Sequence, residues 1–354
     1  MAAARPTPAQ ADSWLRRAWQ KQGIVSALLW PLSLLYGAVT AIHRQLYRSG
    51  IRSVTRVGVP VIVVGNVTAG GGGKTPTVME IATHLRGRGL RAGAVSRGYG
   101  RRTADCLEVQ PDGTADAYGD EPLLLRRTLG IPVFVHANRA RAAQALLARH
   151  PATQIIVCDD GLQHYGLYRD IEVCVIDAEG FGNKRLLPAG PLRQRWPPAL
   201  VLPAGQDATR TLLLHTAGAA WPGRFSAHRR LAPQLMDAKG QTRTMIALAE
   251  GSQPIVAIAA IAKPEAFFAM LRLQGLALAH TLALPDHDDF SQFARHASAF
   301  PAGAVLICTQ KDAAKLWPQC PRALAAALEQ RSEPAFFEAL DALLPAMPAA
   351  QDAP

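Results

Sequence analysis

Apolar residues in this chain gather in short unbroken runs instead of alternating with polar ones. Residues 59–64, 155–158, 254–259 and 305–308 are such runs, rich in Val, Ile and Ala, and 171–177 is another, broken by Glu172 and ended by Asp177. Runs of this kind predict strands buried on both faces, as in a parallel sheet. Shorter strands are expected at residues 92–96 and 133–136. Between them the apolar positions take helical spacing, at residues 77–85, 139–150, 264–274 and 291–298. Another helix opens at Tyr118-Gly119-Asp120-Glu121-Pro122 and runs through Leu129, and Thr309-Gln310-Lys311-Asp312 enters one more. Alternation of strand and helix predicts an α/β fold with a doubly wound, mostly parallel sheet. Residues 201–250 are Ala- and Leu-rich without a sharp motif, and read as a transition. The expected organisation is an N-terminal segment over 1–50, a main domain over 51–220 and a smaller α/β lobe over 221–354.

The first 50 residues follow a different pattern. From Gln22 to Ile42 no residue is charged. As a helix this stretch spans about 31 Å, close to the thickness of a bilayer core. Pro31 interrupts it, and Lys and Arg flank both ends, so no orientation follows. The reading favoured is a membrane-associating helix lying half immersed, with a buried core helix and a true span as alternatives. Ser26, Ser33, Gly37 and Thr40 share one narrow stripe on that helix.

Charge sharpens this picture. The 354 residues carry a net charge of +11, which on its face suggests nucleic acid. Eight of the basic residues, against Asp12 as the one acid, lie within residues 1–56, around the apolar stretch. Aromatic residues are only 6% of the chain, too few for interleaved base stacking. A basic collar on an anionic lipid surface accounts for the charge without nucleic acid. Five cysteines form no Cys-x-x-Cys pair, which suits a reducing compartment and suggests no zinc ribbon.

The strongest motif follows the first strand. Gly65-Asn66-Val67-Thr68-Ala69-Gly70-Gly71-Gly72-Gly73-Lys74-Thr75 leads directly into a helix. Strand, glycine loop, Gly-Lys-Thr and helix are the context of a P-loop NTPase. Thr68 stands where the first glycine is usual. Residues Thr68, Ala69, Gly70, Gly71, Gly72 and Gly73 would present backbone N–H groups to the phosphates of ATP. Lys74 would reach the β- and γ-phosphates, and the Thr75 hydroxyl would ligate Mg²⁺. Asp159-Asp160 ends a later apolar strand, the place of a metal-holding carboxylate. Arg97 after the second strand, Arg139 at a helix start and Arg193 in a Pro/Gly-rich loop are candidate anion contacts. Gln163, His164 and Asn183 stand beside these motifs as further candidate substrate contacts.

Taken together these motifs resemble the tetraacyldisaccharide 4′-kinase family. The resemblance rests on the Gly-Lys-Thr-Pro76 loop, Ser96-Arg97-Gly98-Tyr99 and Gly119-Asp120-Glu121-Pro122. It continues in Asp159-Asp160-Gly161-Leu162-Gln163-His164, Leu187-Pro188-Ala189-Gly190-Pro191-Leu192-Arg193, Pro285-Asp286-His287 and Thr309-x-Lys311-Asp312. It implies a membrane-associated lipid kinase with two α/β lobes, using ATP and Mg²⁺ on an anionic glycolipid, the lipid A precursor. It implies a place on the cytoplasmic face of the inner membrane, peripheral or monotopic, and points to no particular protein partner. It also implies Asp120 as the base on the sugar hydroxyl and His287 as its partner. Glu121, next to Asp120, is a further candidate metal contact beside Asp159 and Asp160. The chain departs from the family pattern at Gln194, at Gln310 and over residues 260–264. The rival reading is a membrane-targeting P-loop ATPase acting on protein cargo. Some members of that class carry a lysine where Ala69 stands.

Overall fold

The computed structural model describes residues 17–70, 73–195, 210–217 and 224–345. Gly71 and Gly72 of the glycine loop, and Asp12 of the N-terminal charge pattern, lie outside them. The first lobe contains β1 (Val61–Gly65), α2 (Lys74–Gly87), β2 (Ala92–Ser96), β3 (Leu107–Glu108), α3 (Ala115–Tyr118) and α4 (Asp120–Leu129). It continues with β4 (Val133–Val135), α5 (Arg139–Arg149), β5 (Ile155–Asp159), β6 (Ile171–Ile176) and β7 (Thr211–His215). All of it is preceded by a long helix, α1 (Ile24–Arg48). The second lobe contains β8 (Phe225–Met236), β9 (Thr242–Thr244), α6 (Met245–Ala249), β10 (Ile255–Ala259), α7 (Pro264–Leu273) and β11 (Leu278–Ala283). After it come α8 (Phe293–Ala297), β12 (Val305–Thr309), α9 (Gln310–Leu316), β13 (Leu324–Ser332) and α10 (Pro334–Leu343).

The strands of both lobes form one sheet, in the order β11-β10-β12-β13-β8-β7-β6-β1-β5-β2-β4-β3, with β9 beside β8. Within each lobe the pairing is mostly parallel, as the apolar runs predict. Successive side chains of a strand point to opposite faces. Ile62 and Val64 therefore join one core with α2, α4 and α10, while Val61 and Val63 join another with α5. The second lobe repeats this division, with Phe267 and Phe268 of α7 on one face and Phe293, Ala313 and Leu316 on the other.

One strand joins the lobes. The start of β8 pairs parallel with β7, and the rest pairs antiparallel with β13. This strand lies within the motif-free stretch. The C-terminal helix α10 then returns to bury Phe336 and Leu340 in a core of the first lobe.

Helix α1 is not a core helix, which removes that alternative. Its apolar window is only 11% buried, and it is long and apolar enough to cross a membrane by length and composition. Ile24, Leu28, Trp30, Leu32, Leu35 and Ile42 are exposed. Its buried residues are Ser26 and Ser33, on the small-residue stripe. Ser26 Oγ donates to the Ala189 carbonyl at 2.6 Å, and Ser33 Oγ donates to that of Leu186 at 2.9 Å. At Gly37 a Cβ would stand 2.9 Å from a Leu186 methyl, which would have to shift to make room. Small residues let the helix dock on the loop at residues 183–193 while its large apolar side chains face away.

Candidate active site

The C-terminal ends of β1 and β5 lie side by side, with Val64 paired to Asp159. The glycine loop therefore leaves the sheet next to Asp159 and Asp160, at the kind of strand edge where α/β proteins bind ligands. Asn66 is buried and braces the loop, its Nδ2 donating to the Gly70 carbonyl at 3.3 Å. The Ala69 N–H donates to the Pro191 carbonyl at 2.7 Å, and Thr68 bridges to Leu192. Gly73 adopts φ +81 just before α2, a conformation that favours glycine. A Cβ there would also collide with the Arg229 guanidinium, which packs against it from β8.

Lys74 Nζ lies 3.6 Å from Asp160 Oδ1, and the Thr75 hydroxyl donates to Asp159 Oδ2 at 3.3 Å. Arg193 also reaches Asp160, at 3.3 Å, and Arg139 Nη2 donates to the Asp160 carbonyl at 3.0 Å. Burial alone would raise the Asp160 carboxyl, but Lys74, Arg193 and Arg139 hold it below its ordinary range. Asp159 is raised instead, first by burial and then by Glu121 and Asp160. Among the described residues its Oδ1 is buried without a hydrogen-bond partner.

The second half of the cleft comes from both lobes. Asp120 opens α4 and is buried, while His287 belongs to the loop after β11. They meet at 2.9 Å, His287 Nδ1 to Asp120 Oδ2. Gly119 makes this approach, at φ +90, where a Cβ would press on the Tyr99 carbonyl at 2.9 Å. The Tyr99 ring lies 5.1 Å from the His287 ring. Lys315 of α9 donates to Asp120 at 2.9 Å, and Lys311 lies 3.8 Å from Glu121. Burial opposes ionisation of Asp120, but the hydrogen bonds from His287 and Lys315 overcome it and hold its carboxyl low. Glu121 faces both halves, acting on Asp159 and on Lys311.

The remaining predicted positions divide. Arg97 is exposed at the end of β2, near enough to act electrostatically on His164. His164 Nε2 accepts from the Arg139 N–H at 3.2 Å, and Gln163 Nε2 donates to the Asn66 carbonyl at 3.0 Å. These two side chains brace the site loops. Asn183 is not brought to the cleft. Its Nδ2 donates to Ser26 Oγ at 2.9 Å and to the Ala189 carbonyl at 2.8 Å, and its Oδ1 accepts from the Arg185 N–H. It is a clamp for α1, a correction of its reading as a substrate contact. Arg193 serves both regions, since its carbonyl accepts from Tyr36 of α1 at 3.0 Å. Sequence reasoning gave no role to Lys311 and missed Lys315. Their spacing of four on one helix was the available signal.

A glycine loop ending in Lys-Thr beside two strand-end aspartates, on a doubly wound sheet, defines a P-loop NTPase-like α/β protein. The sequence profile of the tetraacyldisaccharide-1-P 4′-kinases matches residues 25–345. The tetraacyldisaccharide 4′-kinase of Acidovorax sp. (strain JS42) is 52% identical over 342 residues, 96% of each chain. That of Polaromonas naphthalenivorans (strain CJ2) is 49% identical, over 93% of this chain and 94% of its own. The crystal structure of "apo" form LpxK from Aquifex aeolicus in complex with ATP superposes with a TM-score of 0.74 at 25% identity. That match covers 91% of this chain and 100% of the other. The chain belongs to the tetraacyldisaccharide-1-phosphate 4′-kinase family and is a lipid kinase.

Proposed function

We propose that this enzyme transfers the γ-phosphoryl group of ATP to the 4′-hydroxyl of a tetraacyldisaccharide 1-phosphate while seated on the cytoplasmic face of the inner membrane. The observation that carries this reading is the Asp120–His287 pair, at 2.9 Å, whose neighbour Glu121 acts on Asp159 beside Asp160 and Lys74. A P-loop alone serves hydrolysis as well as transfer. A buried carboxylate oriented by histidine adds what an alcohol acceptor needs, a base for its proton.

In this reading Lys74 and the loop amides hold the β- and γ-phosphates. Asp120 accepts the hydroxyl proton, and His287 orients its carboxylate. Arg139 and Arg193 place positive charge beside the transferring group, and Arg97 sits at the lip of the cleft. Phosphoryl transfer depends mainly on such positioning and charge stabilisation.

The residues present fit Mg²⁺. The unpartnered Asp159 Oδ1, with the Thr75 hydroxyl at its other oxygen, is a donor set for a hard cation. Among the described residues no group of three or more His, Cys, Asp or Glu is arranged to hold a metal alone. That suits Mg²⁺, which takes one or two carboxylates and completes its shell with phosphate and water. Thr75 and Asp159 would hold it, with Asp160 and Glu121 adjacent. Bound there, it would neutralise charge developing between the β- and γ-phosphates.

Helix α1 supports the membrane part of the reading. Each large apolar side chain removed from water contributes about 1.5–3 kcal/mol, and each basic residue near an anionic surface about 1 kcal/mol. The test is label transfer from γ-labelled ATP to a disaccharide 1-phosphate lipid in vesicles, with Lys74→Ala as control. ATP hydrolysis without labelled lipid would sink the proposal.

A further inference from the structure

The Thr309-Gln310-Lys311-Asp312 motif has no part in the function proposed above, yet it begins the helix that faces Asp120. Thr309 caps α9, its Oγ1 accepting from the Asp312 N–H at 3.1 Å. The Asp312 carboxylate in turn accepts from the Ala260 N–H at 3.0 Å, fixing α9 to the loop after β10. The same Ala260 offers its carbonyl to the His287 N–H at 3.2 Å. His287 itself sits at φ +65, a backbone conformation uncommon for a residue with a side chain. One turn beyond Lys311 on the same face, Lys315 reaches Asp120.

Lys315 Nζ stands 2.9 Å from Asp120 Oδ1 and 2.9 Å from Oδ2, and donates to the His287 carbonyl at 3.1 Å. His287 Nδ1 takes Oδ2 as well. The carboxylate is thus held at both oxygens. Each carboxylate oxygen accepts two hydrogen bonds, so Oδ1 keeps a lone pair for an incoming hydroxyl. The ammonium is largely buried, a costly placement for a charge that served only to fill space. It also rides on the second lobe, while Asp120 belongs to the first.

We propose that Lys315 is a positioning residue for phosphoryl transfer: it fixes the plane of the Asp120 carboxylate when α9 lies against α4, and so ties orientation of the base to apposition of the lobes. The inference rests on Asp120 being the base. Lys315 forms and breaks no bond to substrate. The hydroxyl proton goes to Asp120 as the new oxygen–phosphorus bond forms and the bond to the β-phosphate oxygen breaks. Lys311 differs from Lys315. It faces Glu121, Asp286 and His287 Nε2 at 3.5–3.8 Å and so steadies the histidine side of the pair.

The test is a cycle of Asp120→Ala, Lys315→Met and the double variant, with Lys315→Arg alongside. Initial rates are read with γ-labelled ATP and vesicle-borne disaccharide 1-phosphate lipid, and nucleotide affinity with a fluorescent ATP analogue. Lys315→Met should lower kcat about a hundredfold, the cost of a misplaced reacting group, with nucleotide Kd and lipid KM changing about twofold or less. Lys315→Arg should recover part of kcat, and Lys315→Met should cost nothing further in the Asp120→Ala background. A kcat for Lys315→Met within about threefold of the parent, while Asp120→Ala is inactive, overturns this inference and leaves the base reading standing. A full repeat of the Lys315→Met loss in the Asp120→Ala background also overturns it, since the lysine then acts through the fold. Near-normal turnover by Asp120→Ala overturns both readings.

Discussion

Lys74, Thr75, Asp159 and Asp160 reach the cleft from the ends of two hydrogen-bonded neighbouring strands, whereas Asp120 and His287 come from 167 positions apart on different lobes. The first group is placed largely by local geometry, since a strand, a glycine turn and a helix N-terminus aim the loop, with Pro191 and Arg229 packed against it. The second exists only when α4, α9 and the loop after β11 stand together. Part of the site is therefore a property of one lobe, and part a property of both.

The sharpest way to break this comparison is to disable each half separately. Lys74→Ala should remove nucleotide binding and transfer together. Asp120→Asn should lower turnover by roughly 10²–10⁴, the usual worth of a general base, with nucleotide affinity unchanged. Equal loss of nucleotide affinity in both variants would show that the two halves are one unit. The exposed face of α1 comes next. Leu32→Asp with Leu35→Asp should cut activity on vesicles about tenfold or more, from the transfer cost of apolar side chains, while activity on detergent-dispersed lipid stays. Loss in detergent as well would make the helix part of the folded core.

Glu121 gives a finer test, because it touches both halves. Thr75→Ala should raise the Mg²⁺ concentration needed for half-maximal rate. Glu121→Gln should do so by a smaller factor if it belongs with Asp159. No change in Glu121→Gln would assign it to Lys311 and the acceptor half. The smallest effect concerns pH. His164 is pushed down to about 4, first by burial and then by Arg139, Arg169, His43 and Arg97. Between that value and its ordinary pKa of about 6.5 the unfolded chain binds a proton that the folded chain refuses. The stability present above the upper value should therefore be lost as pH falls through this window. Thermal midpoints measured at pH 7 and pH 5 should separate less in His164→Gln than in the parent, and an identical separation would place the acid sensitivity elsewhere.

Much of the fold was legible because its central strands are dense in Val and Ile, residues that suit a sheet buried on both faces. Strand β8, which joins the lobes, and its neighbour β13 carried no such mark. β8 holds Arg229, Arg230 and Pro233, and β13 begins Leu-Ala-Ala-Ala, a run with helical preference. They are strands because they pair with each other over most of their length, and β8 continues onto β7 of the first lobe. Asn183 shows the same limit in the site. It stands in a loop beside cationic residues, as a substrate contact would, and only the folded chain turns its amide toward Ser26 of α1.

The sequence by itself determined the phosphate loop, the strand-end aspartates, the α/β alternation and the amphiphilic character of α1, because each is a pattern within a few turns or strands of chain. Tertiary structure alone decided which carboxylate oxygens Lys315 holds, that Arg193 touches both α1 and Asp160, and that the serine stripe is the face by which the helix docks. These depend on where distant elements pack. A hydrogen bond acts over about 3 Å, and no spacing along the chain encodes a contact that short between residues of different elements tens to hundreds of positions apart.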